Sequence, residues 1–171
     1  MKKFITIASI ILTFFLYTSL FGQETRNFPE IQRNGTLYGG ILVDDGINGL
    51  TFGAGYFQEY QRNIHIGGTL AYTLGDFVFL GGTDLKYVEI TPSMKVYNLF
   101  RPIRDTHIFL QAGISFNDIE YNNGDTDDQV GFKFGVGGFR GNREYLLMYN
   151  YINMDGKDRK YLSLTMAYFF Y

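Results

Sequence analysis

The chain has 171 residues, 46% hydrophobic, 18% aromatic and 19% charged, with a formal charge of −2. A mean hydropathy of −0.08 excludes a bundle of membrane helices, the apolar share excludes a disordered chain, and the lack of cysteine excludes disulfides, thiolate metal sites, a cysteine nucleophile and a lipidated N-terminal cysteine. The small net charge gives no general pull toward nucleic acid, while 21 Gly, 14 Tyr and 17 Phe beside 3 Pro suit closely packed strands.

Met1, Lys2 and Lys3 make a short basic start, and residues 4–20 form an unbroken run of apolar and hydroxyl side chains. Gly22 is small and Gln23 opens a polar stretch. Residues 1–22 therefore read as a secretory signal peptide, although Leu20 fits the small-x-small rule poorly. The alternative is a retained anchor helix, for which about 17 residues is the lower limit of a span. Cleavage removes Lys2 and Lys3 and shifts the formal charge from −2 to −4. Residues 23–34 form a polar lead on the periplasmic side, and no second long apolar run follows. Re-entry into a membrane would then require a closed barrel.

From residue 35 onward the chain breaks into eight short runs, about 35–43, 49–59, 62–74, 85–98, 105–117, 129–140, 143–153 and 159–171. Gly, Asn and Asp separate them, as at Asp44, Asp45 and Gly46 and at Gly141 and Asn142. The period inside the runs is two. One face carries Leu50, Phe52, Ala54 and Tyr56, then Ile64, Ile66, Leu70, Tyr72 and Leu74, then Val88, Ile90, Met94 and Val96. It continues with Ile108, Leu110, Ala112, Ile114 and Phe116, with Val130, Phe132, Phe134 and Val136, and with Leu162, Leu164, Met166, Tyr168 and Phe170. The first and seventh runs are ambiguous in phase; for the seventh, the expected apolar face is Tyr145, Leu147, Tyr149 and Tyr151. The opposite face is Gly, Ser and Thr, and the charges inside the strands are few, chiefly Lys86, Glu89, Lys95 and Lys133.

Alternation alone fits a soluble barrel with a greasy core or a membrane barrel with a greasy outside. A soluble barrel would show water many Lys and Glu. Small residues with scattered ions instead suit the narrow interior of eight strands, and a Lys or Arg facing lipid would cost roughly 2–4 kcal/mol. The expected fold is all-β, a closed eight-stranded antiparallel up-and-down transmembrane β-barrel over 35–171.

The signal, the eight alternating runs and the aromatic final run 161–171 resemble the small eight-stranded outer-membrane barrels of Gram-negative bacteria, the group of the OmpA transmembrane domain and OmpX. The resemblance is architectural. It implies an outer-membrane location, a periplasmic N-terminus and a final strand that serves the barrel assembly machinery as a signal. Tyr171 departs from the phase of its strand. It further implies outer loops near 44–48, 75–84, 118–128 and 154–158, which are acidic, and inner turns near 60–61, 99–104 and 141–142, flanked by Arg62, Arg101, Arg104, Arg140 and Arg143.

Several residues are candidates for chemistry. Glu89 and Lys133 lie on the inner face of strands running the same way, so they would pair across the lumen, with Lys95, His65 and Gln111 extending the network. The bland reading is a lumen plug; the sharper one is a polar path for small solutes. Residues 122–128 are dense in hard oxygen ligands, including Asp125, Asp127 and Asp128, but lack the spacing and closing Glu of a Ca²⁺ loop. The acidic loops would instead be solvated, or share divalent cations with lipopolysaccharide. Phe77 and Phe79 sit in an apolar stretch of an outer loop that would extend a strand, fold over the mouth or meet a partner. His65 and His107, both near inner ends, are poorly placed for a lipid-modifying catalyst, and no His-x-Ser occurs. Pro92 interrupts a strand on the lipid face, where a closed barrel has no edge for it. The expectation is a monomer of structural, envelope-stabilising or surface-interacting role, in contact with outer-membrane lipid, without cofactor, metal, nucleic acid or catalysis. The alternatives are a narrow pore and a lipid-modifying enzyme.

Overall fold

The computed structural model describes residues 35–43, 47–77, 83–97, 106–154 and 157–170. The expected signal 1–22, the lead 23–34, Phe79 and Tyr171 lie outside them. Eight strands follow in chain order: β1 (Gly35–Val43), β2 (Ile47–Gln61), β3 (Ile64–Phe77), β4 (Thr83–Tyr97), β5 (His107–Tyr121), β6 (Thr126–Arg140), β7 (Arg143–Met154) and β8 (Lys157–Phe170). Each pairs antiparallel with its predecessor, and β1 closes on β8 through nine residue pairs from Gly35↔Phe170 to Val43↔Leu162. Closure leaves no strand edge unpaired.

The strands run further than their apolar stretches. β5 continues through Asn117 to Tyr121 and β6 begins at Thr126, so the expected loop 118–128 shrinks to the tight turn 122–125. All its acids but Asp125 belong to the ladder instead, with Asp118 opposite Asp128. Likewise β3 reaches Phe77 and β4 starts at Thr83, which pairs Asp76 with Asp84 and takes Phe77 into a strand. Backbone pairing is indifferent to side-chain polarity once the strands leave the hydrocarbon, so apolar runs mark the membrane-crossing part and understate strand length. The short turn is held by its own side chains. The Asp125 backbone N–H donates to Asn123 Oδ1 at 3.0 Å, and Asn123 Nδ2 donates to Asp125 Oδ2 at 2.6 Å. Gly124 takes a φ of 83° there, a region open to glycine at little steric cost.

The faces divide as the period of two requires. Leu50, Phe52, Leu70, Tyr72, Leu110, Phe132, Phe134, Leu164 and Met166 are exposed on the outside. Tyr149 and Tyr151 of β7 face out too, half-buried because they stack on Phe134 and Phe132 of β6. In the first run Leu37 points out while Thr36 and Leu42 point in. On one strand Ile114 is 53% exposed and Ile119 fully buried, two equally greasy residues separated only by phase. A protein in water would not leave such a belt bare. Hydrocarbon covers it.

Pro92 sits on the outward face opposite Gly68 of β3. On its other side the pairing passes from Ile90↔Phe116 straight to Ser93↔Gly113, with the same register above and below. The missing proline N–H is thus absorbed as a short gap in the β4–β5 ladder, without a bulge.

Replacing Ile114 with Arg should cost about 2–4 kcal/mol of unfolding free energy in liposomes. Ile119→Arg should cost more, because it overfills a packed lumen. Denaturant titrations in which Ile114→Arg is neutral would contradict a lipid-covered exterior.

Candidate functional site in the barrel lumen

The connections β1–β2, β3–β4, β5–β6 and β7–β8 lie at one end of the barrel, the outer end in the expected topology. The two-residue turns Arg62–Asn63 and Gly141–Asn142 lie at the inner end. Between them the inward side chains form three layers. Leu42, Leu85, Tyr87, Ile119, Ile152 and Tyr161 form an apolar plug toward the outer end, where the Tyr87 and Tyr161 hydroxyls share a hydrogen bond of 2.9 Å. Tyr97, Phe109, Phe139, Leu146, Met148 and Phe169 form a second plug toward the inner end. The large rings fit because glycine faces them from neighbouring strands. A Cβ on Gly137 would lie 2.2 Å from the Phe109 ring, and one on Gly53 would lie 2.5 Å from that of Tyr38.

The polar layer lies between the plugs. Lys133 on β6 forms an ion pair with Glu89 on β4, their side chains 14% and 3% exposed. Thr91 donates to Glu89 Oε1 at 2.6 Å. Below them, Lys95 Nζ donates to both carboxylate oxygens of Glu144 on β7, at 2.7 and 2.8 Å, with the side chains 2% and 4% exposed. The ammonium also stands 4.3 Å from the Phe57 ring centroid, 5.0 Å from Phe109 and 5.8 Å from Phe169. Such a cage of rings and a bidentate carboxylate offsets the desolvation of a buried charge.

The ion pairs divide the five lumen residues singled out from the sequence. Glu89 and Lys133 pair with each other. Lys95 pairs separately, with Glu144, which the sequence reading passed over. Its signal was present: once Tyr145 and Leu147 face lipid, Glu144 must face the lumen with Leu146 and Met148. Position 144 sits beside a turn and reads as surface unless the phase is carried through. His65 lies directly opposite Lys95 on β3 and packs edge-on against Tyr97, with ring centroids 4.7 Å apart. Gln111 lies opposite Lys95 on β5. Its buried Oε1 has no hydrogen-bond partner, nor have Asn117 Oδ1 and Asn150 Oδ1. A cavity of about 60 Å³, lined by Gln111 with Glu89, Lys133, Lys95 and Glu144, lies between the plugs. A water needs roughly 10–15 Å³ on that measure, so the space holds a few waters.

The outer acids diverge. Asp125 is engaged in its turn, and Asp127 accepts from Gln129 Nε2 at 2.6 Å on the lumen side. Asp128 points outward opposite Asp118. Among the described residues no group of three or more His, Asp or Glu side chains converges on a metal-sized site. His107 is stacked on Phe139, with centroids 4.9 Å apart, at the inner end.

A closed ring of eight strands, charges within and bare leucine and phenylalanine without, decides the architecture. This is a closed eight-stranded transmembrane β-barrel. No protein-family model matches the chain, and no curated protein matches it. Among solved structures it is similar to Neisserial surface protein A, at 17% identity over 80% of this chain and 95% of that one, with a TM-score of 0.48. It is similar to the Yersinia pestis outer membrane protein Ail in a phospholipid bilayer nanodisc, at 18% identity over 81% and 100%, with a TM-score of 0.47. A de novo designed transmembrane β-barrel also matches, at 12% identity over 84% and 100%, with a TM-score of 0.44.

Lys95→Met leaves Glu144 buried and unpaired and should cost about 3–5 kcal/mol, and Glu144→Gln a comparable amount. The double variant should recover most of that loss, since neither charge is then stranded. Urea unfolding in micelles, arranged as a double-mutant cycle, measures the coupling. Additive losses would show that the two side chains do not depend on each other.

Proposed function

We propose that the protein is an outer-membrane barrel with a structural or surface-contact role, and that its lumen neither conducts solutes nor catalyses. The observation that carries this reading is the double seal. A path along the axis must cross the Tyr87–Tyr161 plug toward the outer end and the Phe109 plug toward the inner end. The Glu89–Lys133 and Lys95–Glu144 pairs line the cavity of about 60 Å³ that lies between the two plugs. The outer rim supports surface contact, because β3 to β6 carry their ladder past the apolar belt and present Asp76, Asp84, Asp118, Glu120 and Asp128 outward. Against catalysis stand the two histidines, which pack on the rings of Tyr97 and Phe139 near the inner end.

The purified full chain should give no discrete conductance steps in planar bilayers. Emptying both plugs, with Phe109→Ala and Tyr97→Ala at the inner end and Tyr87→Ala and Tyr161→Ala at the outer end, should produce them. Regular steps from the unaltered chain would favour a conduit for small solutes. A changed lipid A mass in cells expressing it would favour a lipid-modifying enzyme.

A further inference from the structure

The outside of the barrel is charged oppositely at its two ends. At the outer end the outward-facing ions are mostly acids. At the inner end, among the described residues, they are arginines. Arg140 ends β6 and Arg143 opens β7, and the two are directly paired across the Gly141–Asn142 turn. Both are exposed. Both keep the outward phase, Arg140 in line with Phe134 and Val136 and Arg143 in line with Tyr145 and Leu147.

Like charges directly opposite on paired strands repel, and no carboxylate among the described residues relieves this pair. Glu144, the next residue, points into the lumen and is held by Lys95. Glu59 stands opposite lumen-facing His65 and shares its phase. Toward the middle of the membrane the arginines are followed at once by Tyr145 and Tyr168, the latter opposite Arg143, and then by Val136 and Leu147, all exposed. Two guanidinium forks about 5 Å apart at their Cβ atoms therefore stand at headgroup level over a wall made for acyl chains.

We infer that Arg140 and Arg143 together hold the phosphate of an anionic phospholipid in the inner leaflet. The inference rests on the membrane-barrel reading above. Planar forks match phosphate oxygens in pairs, and a bound phosphate removes the repulsion between them. An anionic headgroup is favoured over a zwitterionic one because, among the described residues, an ammonium group would find no outward carboxylate beside the pair. Tyr145 and Tyr168 supply the amphipathic rings that suit the boundary between headgroup and tail.

The test uses the full chain in nanodiscs of phosphatidylcholine with an equal share of phosphatidylglycerol. Native mass spectrometry after release reads which lipid stays bound. The expected result is a phosphatidylglycerol preference of about 5-fold for each arginine. It should be lost in Arg140→Gln/Arg143→Gln and partly kept in Arg140→Lys/Arg143→Lys, which retains charge without the fork. Lys86→Gln, a change at the outer end, should leave the preference intact. Equal retention of both lipids by the unaltered chain, or a preference that survives the double Gln change, overturns the inference. A chain that enters the discs and folds but shows no preference defeats this inference alone, whereas one that never inserts defeats the barrel reading with it.

Discussion

Hydrocarbon offers nothing to a peptide N–H or C=O, and each unpaired group there costs several kcal/mol. The eight strands answer this by closing, with β1 returned to β8 in full register. Every other feature follows from closure. A ring of eight has an interior only as wide as its side chains, so alternate residues must fill a narrow tube while the others meet lipid. Pro92 shows how firmly the ring holds. One donor is missing in the middle of the barrel wall, yet the β4–β5 register is the same on both sides of the gap.

Filling that tube sets a packing problem that the chain solves in layers. Rings and branched aliphatics close both ends, and glycines on facing strands give way to the rings. Charges occupy the middle, where bulk water is largely excluded and they must find one another. Lys133 meets Glu89, and Lys95 meets Glu144. These pairs join β4 to β6 and β4 to β7 across the lumen, links that backbone pairing between sequence neighbours cannot make. Buried pairs are weak evidence for net stability. What they supply here is a condition on assembly, since a barrel closed with the wrong shear would strand four charges.

The exterior carries a second division, along the axis. Apolar residues fill the middle of the belt, tyrosines flank it, acids crown the outer end and arginines close the inner end. Strands that outrun the belt lift the acids clear of the hydrocarbon. The β6–β7 turn takes only two residues, which sets Arg140 and Arg143 against the membrane edge.

Period-two alternation was enough to show eight strands and, outside the ambiguous first and seventh runs, their phase, because a strand's two sides are written directly in its odd and even positions. The small, sparsely charged polar face then marked the apolar side as the one that meets lipid. That is why Leu110 and Phe132 were legible as outward, and Glu89 and Lys133 as inward. Partners across the lumen were not legible. Lys95 and Glu144 are 49 residues apart, and their meeting depends on strand stagger and barrel shear, which no local pattern encodes. The ends of the strands also escaped, since Asp118 and Asp128 look like loop residues until the opposite strand is seen pairing with them. The amino-acid order by itself determined which side of each strand faces oil, since burial in a strand is a local alternation. Only closure in three dimensions decided which charge faces which, since that depends on how far each strand slides against the next.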